Sequence, residues 1–212
     1  TEGTWVTNMP QPKTIHDFYG FPKPLFDVRY PAPGSPEIAE RVREQVRKPR
    51  VNLDNEMWGL DHGTWSVLRH MYPHADVPVI QLSIYLEQLA PYHLSIGQQL
   101  RALRDEGVLI VGSGNIVHNL RTINFDSEAD PFDWATEFDV WVKSKLEARD
   151  FDSLAAPEAT ASHAGQMSVP TPDHWYPLFY PLGASDPEDT LRFEYEGIDH
   201  SSISMRCISF GM

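Results

Sequence analysis

Nine histidines are the residues of this 212-residue chain best suited to metal binding or acid–base chemistry. Imidazole is the commonest side-chain metal ligand, and it changes charge near neutral pH. Four of the nine stand in glycine-, proline- or aromatic-rich surroundings: His16, His62, His118 and His174. One such histidine is more often a hydrogen-bonded structural residue, but four of them together favour a shared pocket.

The stretch LIVGSGNIVHNL (109–120) places one of these histidines, His118, directly after an apolar run and a glycine-rich turn. The turn has neither the third glycine of a dinucleotide-binding loop nor the lysine of a nucleotide-binding loop, which makes phosphate binding a weak interpretation. In open α/β sheets, ligands bind beyond the carboxyl ends of the strands. We therefore expect this turn to deliver an imidazole to a binding site.

Composition and missing motifs exclude several other classes. The chain has 17 basic and 30 acidic residues, a formal charge of −13, which disfavours nucleic acid and anionic membranes as partners. It has no apolar run near the roughly 20 residues of a membrane span. Its one cysteine, Cys207, is typical of a reducing compartment, so we expect a cytoplasmic protein. Walker, GxSxG, HExxH and CxxC motifs are absent.

Local signals alternate between strands and helices along the chain. The stretch from Pro10 to Pro36 is dense in proline and aromatic residues, and predicts an ordered loop without helix. Helix starts are indicated near four positions: Ser35, Asp61, Pro91 and Asp130. Strands are predicted over 4–7, 51–54, 77–84 and 107–112 and in two segments near the C-terminus. The alternation predicts an α/β fold, a single domain with a central mixed or mostly parallel sheet flanked by helices.

Five motifs occur in an order that resembles a known family. They are TIHDFYGFP, YPAPGSP, WGLDHGTW, SGNIVHNLR and SVPTPDHWYPLFYPLGA. In this order they resemble the class III extradiol ring-cleavage dioxygenases of the LigB type, above all the branch similar to 4,5-DOPA dioxygenase. The resemblance runs from about Thr4 to the C-terminus, so residues 1–212 are interpreted as one LigB-type catalytic domain.

The resemblance implies a metal-dependent enzyme that inserts O₂ into a catechol ring of the DOPA type. Fe(II) is the expected metal, and Zn(II) is the alternative. The expected partners are a small-molecule catechol and O₂. Open coordination positions on the metal accept both of them.

The same resemblance implies roles for particular residues. His174 corresponds to a metal ligand, and His118 to either a ligand or the acid–base histidine. His62, in the DHG motif, corresponds to an acid–base group or a residue that polarises O₂. His16 and Tyr30 are expected to shape the catechol pocket.

The sequence departs from the family pattern at its start. The family carries two further metal histidines, in an HGSP-like and an SAHW-like motif, and neither motif occurs here. Thr1 falls where the family chain has just passed the second motif, so we expect a missing N-terminal segment, a separate N-terminal fragment as partner, or a homo-oligomer. Two other functions stay open: a catalytically inactive relative that binds aromatic ligands without metal, and a zinc-dependent hydrolase.

Overall fold

The computed structural model describes residues 2–126 and 128–211. The chain forms two compact units, one ending at Tyr85 and the other beginning at Leu86. Within the described residues, no helix has both the length and the apolar character that crossing a membrane requires. The prediction of one domain over 1–212 stays a prediction.

The N-terminal unit combines short parallel strand pairs with helices. Strand β1 (Thr4–Thr7) pairs in parallel with β3 (Val51–Asp54), and β2 (Lys13–Thr14) pairs in parallel with β4 (Gly59–Leu60). Parallel pairing with helices between the strands is the arrangement predicted for an α/β chain. The elements in chain order are β1 (Thr4–Thr7), β2 (Lys13–Thr14), α1 (Lys23–Phe26), α2 (Pro36–Gln45), β3 (Val51–Asp54), β4 (Gly59–Leu60) and α3 (His62–Met71).

Side-chain caps explain where α2 and α3 begin. The Ser35 hydroxyl accepts the amide of Ile38 at 3.3 Å, and the Asp61 carboxylate accepts the amide of Thr64 at 3.0 Å. Each cap satisfies an amide that the first helical turn leaves without an intrahelical partner. Both helix starts agree with the sequence prediction.

The stretch from Pro10 to Pro36 is not wholly a loop. It contains β2 and the single-turn helix α1, with a proline, Pro24, in the first turn. The prediction that proline density forbids a helix here was wrong, because the first turn needs no amide hydrogen from that position.

The core of this unit is aromatic. The Trp65 side chain is 1% exposed, and its indole nitrogen donates to the carbonyl of Ile15 at 2.7 Å. This bond ties α3 to the segment that follows β2. The core cluster consists of Phe18, Tyr30, Ala32, Leu60, Trp65, Leu68 and Ala75.

The C-terminal unit is mainly helical, and its strand pairs are antiparallel: β5 (Thr190–Tyr195) with β8 (Cys207–Gly211), and β6 (Ile198–Asp199) with β7 (Ile203–Ser204). Helix α4 is continued by a 3-10 turn, Arg101–Glu106, and Gly107 closes it in the left-handed conformation, as predicted. The elements are α4 (Ala90–Leu100), α5 (Asp133–Glu147), α6 (Phe151–Ala155), α7 (His163–Ser168), α8 (Phe179–Ala184), β5 (Thr190–Tyr195), β6 (Ile198–Asp199), β7 (Ile203–Ser204) and β8 (Cys207–Gly211).

Glycines let α4 and α8 cross closely. A Cβ on Gly183 would lie 2.4 Å from the carbonyl oxygen of Leu94, and one on Gly97 would lie 2.5 Å from that of Tyr180. Side chains are therefore excluded from this crossing, and the backbones pack directly.

Two predicted buried strands do not form. Residues 77–84 make only an isolated antiparallel bridge, between Leu82 and Val6, and residues 107–112 lie in no strand. The side chains of Leu109 and Val111 are 62% and 47% exposed. An apolar run becomes a buried strand only where partner strands lie beside it, and the described residues provide only this bridge for the first run.

Candidate functional site

The C-terminal unit brings two of the predicted histidines together. The rings of His118 and His174 stack with their centroids 3.5 Å apart and their planes 9° apart. The two residues are 56 positions apart in the sequence, so tertiary structure creates the pair. Both side chains are partly buried.

The glycine-rich turn before His118 exists because the chain there lies against the segment carrying His174. A Cβ on Gly114 would be 2.3 Å from the carbonyl oxygen of His174, and one on Gly112 would be 2.3 Å from that of Pro177. Both distances are far below a tolerable contact, so only glycine fits. The two glycines make room for the backbone of the segment that carries His174, and not for a phosphate group.

Asn115, the last residue of the Gly-Ser-Gly-Asn turn, binds the His174 segment at two points. Its amide donates to the carbonyl of His174 at 3.1 Å, and its side-chain oxygen lies 3.0 Å from Nδ1 of the same residue. The side-chain nitrogen donates to the carbonyl of Ser204 at 2.9 Å, which fixes the amide orientation. The Asn115 oxygen therefore accepts a proton carried on Nδ1, and Nε2 is the basic nitrogen of the His174 ring.

His118 is held by backbone bonds and by buried neighbours. Its amide donates to the carbonyl of Ser168 at 2.9 Å, and the preceding Ile116 and Val117 are buried. Burial lowers the pKa of His118, while the carboxylate of Asp173 acts in the opposite direction. The imidazole is therefore predominantly neutral at pH 7, the form that binds a metal or accepts a proton.

The N-terminal unit holds His62 against a carboxylate that sequence reasoning missed. The Nδ1 atom of His62 lies 2.9 Å from Oδ1 of Asp17, and the backbone amide of His62 donates to the same oxygen at 3.0 Å. Phe18, next in the chain, meets the His62 ring edge-on with the centroids 5.6 Å apart.

His16 contributes to the aromatic packing of the same unit. Its ring lies 5.9 Å from Phe18 and 5.7 Å from Trp65, measured between centroids. Its Nε2 lies 3.0 Å from the carbonyl oxygen of Val28, so this nitrogen carries the proton and donates it. Its predicted contact with substrate stays a prediction.

Tyr30 is a core residue. Its side chain is 2% exposed, and its hydroxyl donates to the carbonyl of Tyr72 at 3.0 Å. Burial raises the pKa of Tyr30, and the negative charge of Asp76 adds to the effect. The predicted contact of Tyr30 with a substrate has no support from this position.

Sequence reasoning did not assign roles to Asp17 and Asn115. Asp17 lies inside the motif TIHDFYGFP, and Asn115 lies inside the motif SGNIVHNLR. The only available signal was their position beside a histidine or a glycine turn, because a contact across 45 or 59 residues leaves no periodic pattern.

Comparison with known proteins identifies the family. Residues 3–205 match the family described as the catalytic LigB subunit of aromatic ring-opening dioxygenase. A 4,5-DOPA dioxygenase extradiol of Escherichia coli K12 is 46% identical over 212 residues, which are all of this chain and 78% of that protein. The protein of the same name from Beta vulgaris is 38% identical over 97% of this chain and 79% of its own length.

A solved structure shares the fold. The crystal structure of an uncharacterized protein from Escherichia coli K12 matches with a TM-score of 0.83 and 41% identity, over 98% of this chain and 80% of that one. The chain belongs to the LigB family of aromatic ring-opening dioxygenases. The predictions of an α/β LigB-type fold and of an extradiol ring-cleaving dioxygenase are confirmed.

This family uses a non-haem metal, and the histidine pair fits part of such a site. A histidine that binds a metal through one ring nitrogen characteristically donates the N–H of the other to an oxygen, as His174 does to Asn115. The ring planes are 9° apart and the centroids 3.5 Å apart, so the nitrogen lone pairs of His118 and His174 lie in two nearly parallel planes, and both rings can bind one ion only if one of them rotates. Within residues 2–126 and 128–211, no group of three or more potential ligand side chains occurs. By donor type, the pair fits two ligands of such a site, and it does not by itself complete a three-ligand site.

Proposed function

We propose that the protein binds Fe(II) through His174 and His118 and cleaves a catechol of the 4,5-DOPA type. The observation that carries the proposal is the stacked histidine pair, with Nδ1 of His174 bonded to Asn115. The substrate class comes from relatives named 4,5-DOPA dioxygenase extradiol, at 46% and 38% identity.

The bound metal would supply open coordination positions for a catecholate and O₂, and Fe(II) is preferred over Zn(II) because zinc has no redox chemistry. The protein's own part is to hold imidazoles in the correct form. Asn115 keeps the proton of His174 on Nδ1, and burial keeps His118 neutral. A neutral His118 can ligate the metal or take a proton from the catechol.

The other predicted residues keep narrower roles in the proposal. His62 is predicted to act as an acid–base group, whether His118 ligates the metal or moves a proton itself, and His16 is predicted to shape the catechol pocket. Tyr30 supports that pocket from the core. A cytoplasmic location, and a partner that is a separate N-terminal polypeptide or a second copy, stay predictions from sequence.

Ring cleavage of L-DOPA is the direct test. The purified protein is loaded with Fe(II) under argon, mixed with L-DOPA and air-saturated buffer, and followed by the yellow absorbance of the semialdehyde and by O₂ uptake. We expect equimolar use of O₂ and catechol. A protein that binds iron and consumes neither L-DOPA nor simpler catechols would contradict the proposal.

Two alanine variants divide the roles of the pair. His174→Ala is expected to lose both iron and turnover. His118→Ala is expected to lower kcat by at least about 10²–10⁴-fold, because it removes either a metal ligand or a general acid–base group, and the smaller effect is that of the acid–base group. Its iron content distinguishes the roles, since loss of iron makes His118 a ligand and retained iron makes it the acid–base group. The exposed His163→Ala is the control and keeps both.

A further inference from the structure

His62 is oriented by a carboxylate that lies far away in the sequence. A single oxygen, Oδ1 of Asp17, is 2.9 Å from Nδ1 of the His62 ring and 3.0 Å from its backbone nitrogen. The oxygen accepts from both nitrogens, so it fixes the start of α3 and the ring at once. A ring that donates from Nδ1 has its basic lone pair on Nε2.

The neighbouring Asp61 has a different role. One of its carboxylate oxygens accepts the amide of Thr64 at 3.0 Å, and the other accepts the side-chain nitrogen of Gln81 at 2.5 Å. Gln81 in turn accepts the Asp61 amide at 3.0 Å. Asp61 is thus the cap of α3, and the carboxylate on the imidazole is that of Asp17.

Two further features suit the pair to proton transfer. The Phe18 ring is 9% exposed and meets the His62 ring at 84°, which restricts rotation of the imidazole. The His62 side chain is 47% exposed, so a ligand can reach the ring. Burial acts to raise the pKa of Asp17, but the hydrogen bonds from His62 outweigh it and hold the pKa below its ordinary value. The carboxylate is therefore ionised at neutral pH.

We infer that Asp17 is the positioning residue for His62: it holds the proton on Nδ1, so that Nε2 is the atom that exchanges a proton with the catechol. In this step the Nε2 lone pair accepts a hydroxyl proton, which gives a catecholate and an imidazolium. The imidazolium returns the proton to the ring-opened product, which restores the neutral ring. The charge of Asp17 stabilises the imidazolium between these steps. The inference rests on the proposed acid–base role of His62.

The chain offers a matched control for this pair. Asp199 and His200 also form a carboxylate–imidazole contact, with Nδ1 3.0 Å from Oδ2, and the His200 amide donates to Oδ1 at 2.9 Å. Neither Asp199 nor His200 has a proposed part in catalysis. Asp17→Ala and Asp199→Ala remove the same chemical group from the same kind of contact, so the second variant is a control for the first.

The test joins a spectroscopic and a kinetic measurement on the full chain. In ¹⁵N-edited NMR spectra recorded where the His62 ring is neutral, this ring is expected to carry its proton on Nδ1. In the Asp17→Ala variant the proton is expected mainly on Nε2. In Fe(II)-loaded protein with L-DOPA, Asp17→Ala is expected to lower kcat by about 10–100-fold with KM within about twofold. Asp199→Ala is expected to match the unmutated chain.

The two measurements separate failure of this inference from failure of the proposed function. An unchanged His62 tautomer in Asp17→Ala, or a kcat equal to that of Asp199→Ala, would overturn the inference while dioxygenase activity stands. The NMR result tests the pair even in a protein that cleaves no catechol.

If Asp17→Ala does not fold, Asp17→Asn replaces it, since an amide oxygen can accept the same two N–H groups. Its kcat is expected to fall at least about tenfold, and a kcat equal to that of Asp199→Asn would overturn the inference.

Discussion

At the scale of single residues, the turn before His118 shows what glycine contributes to this fold. Gly112 and Gly114 are needed because the backbone of the His174 segment lies where their side chains would be. The imidazole pair therefore depends on two residues that carry no functional group. Steric fit, and not affinity for phosphate, explains the motif.

We predict that Gly114→Ala disrupts the histidine pair. The added methyl would lie 2.3 Å from the carbonyl oxygen of His174, so the backbone must shift, at a cost of about 1–3 kcal/mol of folding free energy. Urea unfolding and iron content measure the two effects. Gly211→Ala is the control, because its added Cβ has no atom of the described residues within 4 Å apart from those of its chain neighbours. Equal stability and iron content in the two variants would show that the turn tolerates a side chain.

The surroundings of four histidines predicted a shared pocket that includes His118 and His174, but only the resemblance to a family singled out these two for a metal site. No spacing rule joins two histidines 56 residues apart, and both single-residue contexts also suit structural histidines. The resemblance could not assign Asp17 or Asn115, because their roles are hydrogen bonds to a histidine distant in the sequence. Such contacts depend on tertiary packing and appear only in the structure.

At the scale of elements, predictions succeeded where the signal was local. The starts of α2 and α3 were predicted because Ser35 and Asp61 bond amides three residues ahead. The apolar runs at 77–84 and 107–112 were predicted as buried strands and are not strands. A cap needs only its own helix, whereas a buried strand needs neighbours that its own sequence does not specify.

An ion pair joins the 3-10 turn after α4 to the segment before β5, and it should make stability depend on pH. Arg104 contacts the two carboxylate oxygens of Asp189 at 2.6 and 2.8 Å, and these bonds hold the pKa of Asp189 below its ordinary value of 3.8. A lowered folded-state pKa stabilises the protein above pH about 4, and this contribution is lost as the pH falls through that pKa.

We predict that Asp189→Asn lowers the unfolding free energy at pH 7 by about 1.5–3 kcal/mol, the range for hydrogen bonds to charged groups. Between pH 5 and 3 the variant should lose less stability than the unmutated chain, because the group that titrates is gone. Urea unfolding at several pH values measures both effects. Glu188→Gln, at the exposed neighbouring position, is the control. If the unfolding free energy of the variant falls with pH as steeply as that of the unmutated chain, this ion pair does not cause the pH dependence.

At the scale of the whole molecule, a strong negative charge accompanies exposed apolar surface. The formal charge is −13, and several large apolar side chains are exposed in each unit, among them Tyr19 at 93%, Met57 at 78% and Leu109 at 62%. Like charge keeps molecules apart in solution and so opposes association through such surface. Acidity here is an aid to solubility rather than a sign of a cationic partner.

The exposed run at 109–111 provides the last prediction. Replacing Leu109 by Ser and Val111 by Thr should reduce the fluorescence of a bound apolar dye and change the unfolding free energy by less than about 1 kcal/mol, because both side chains already contact water. Leu103→Ser, at a side chain 1% exposed, should instead cost at least about 2–5 kcal/mol, the range for truncating a buried leucine. A double variant as unstable as Leu103→Ser would contradict the prediction. It would show that the side chains of Leu109 and Val111 are buried in solution.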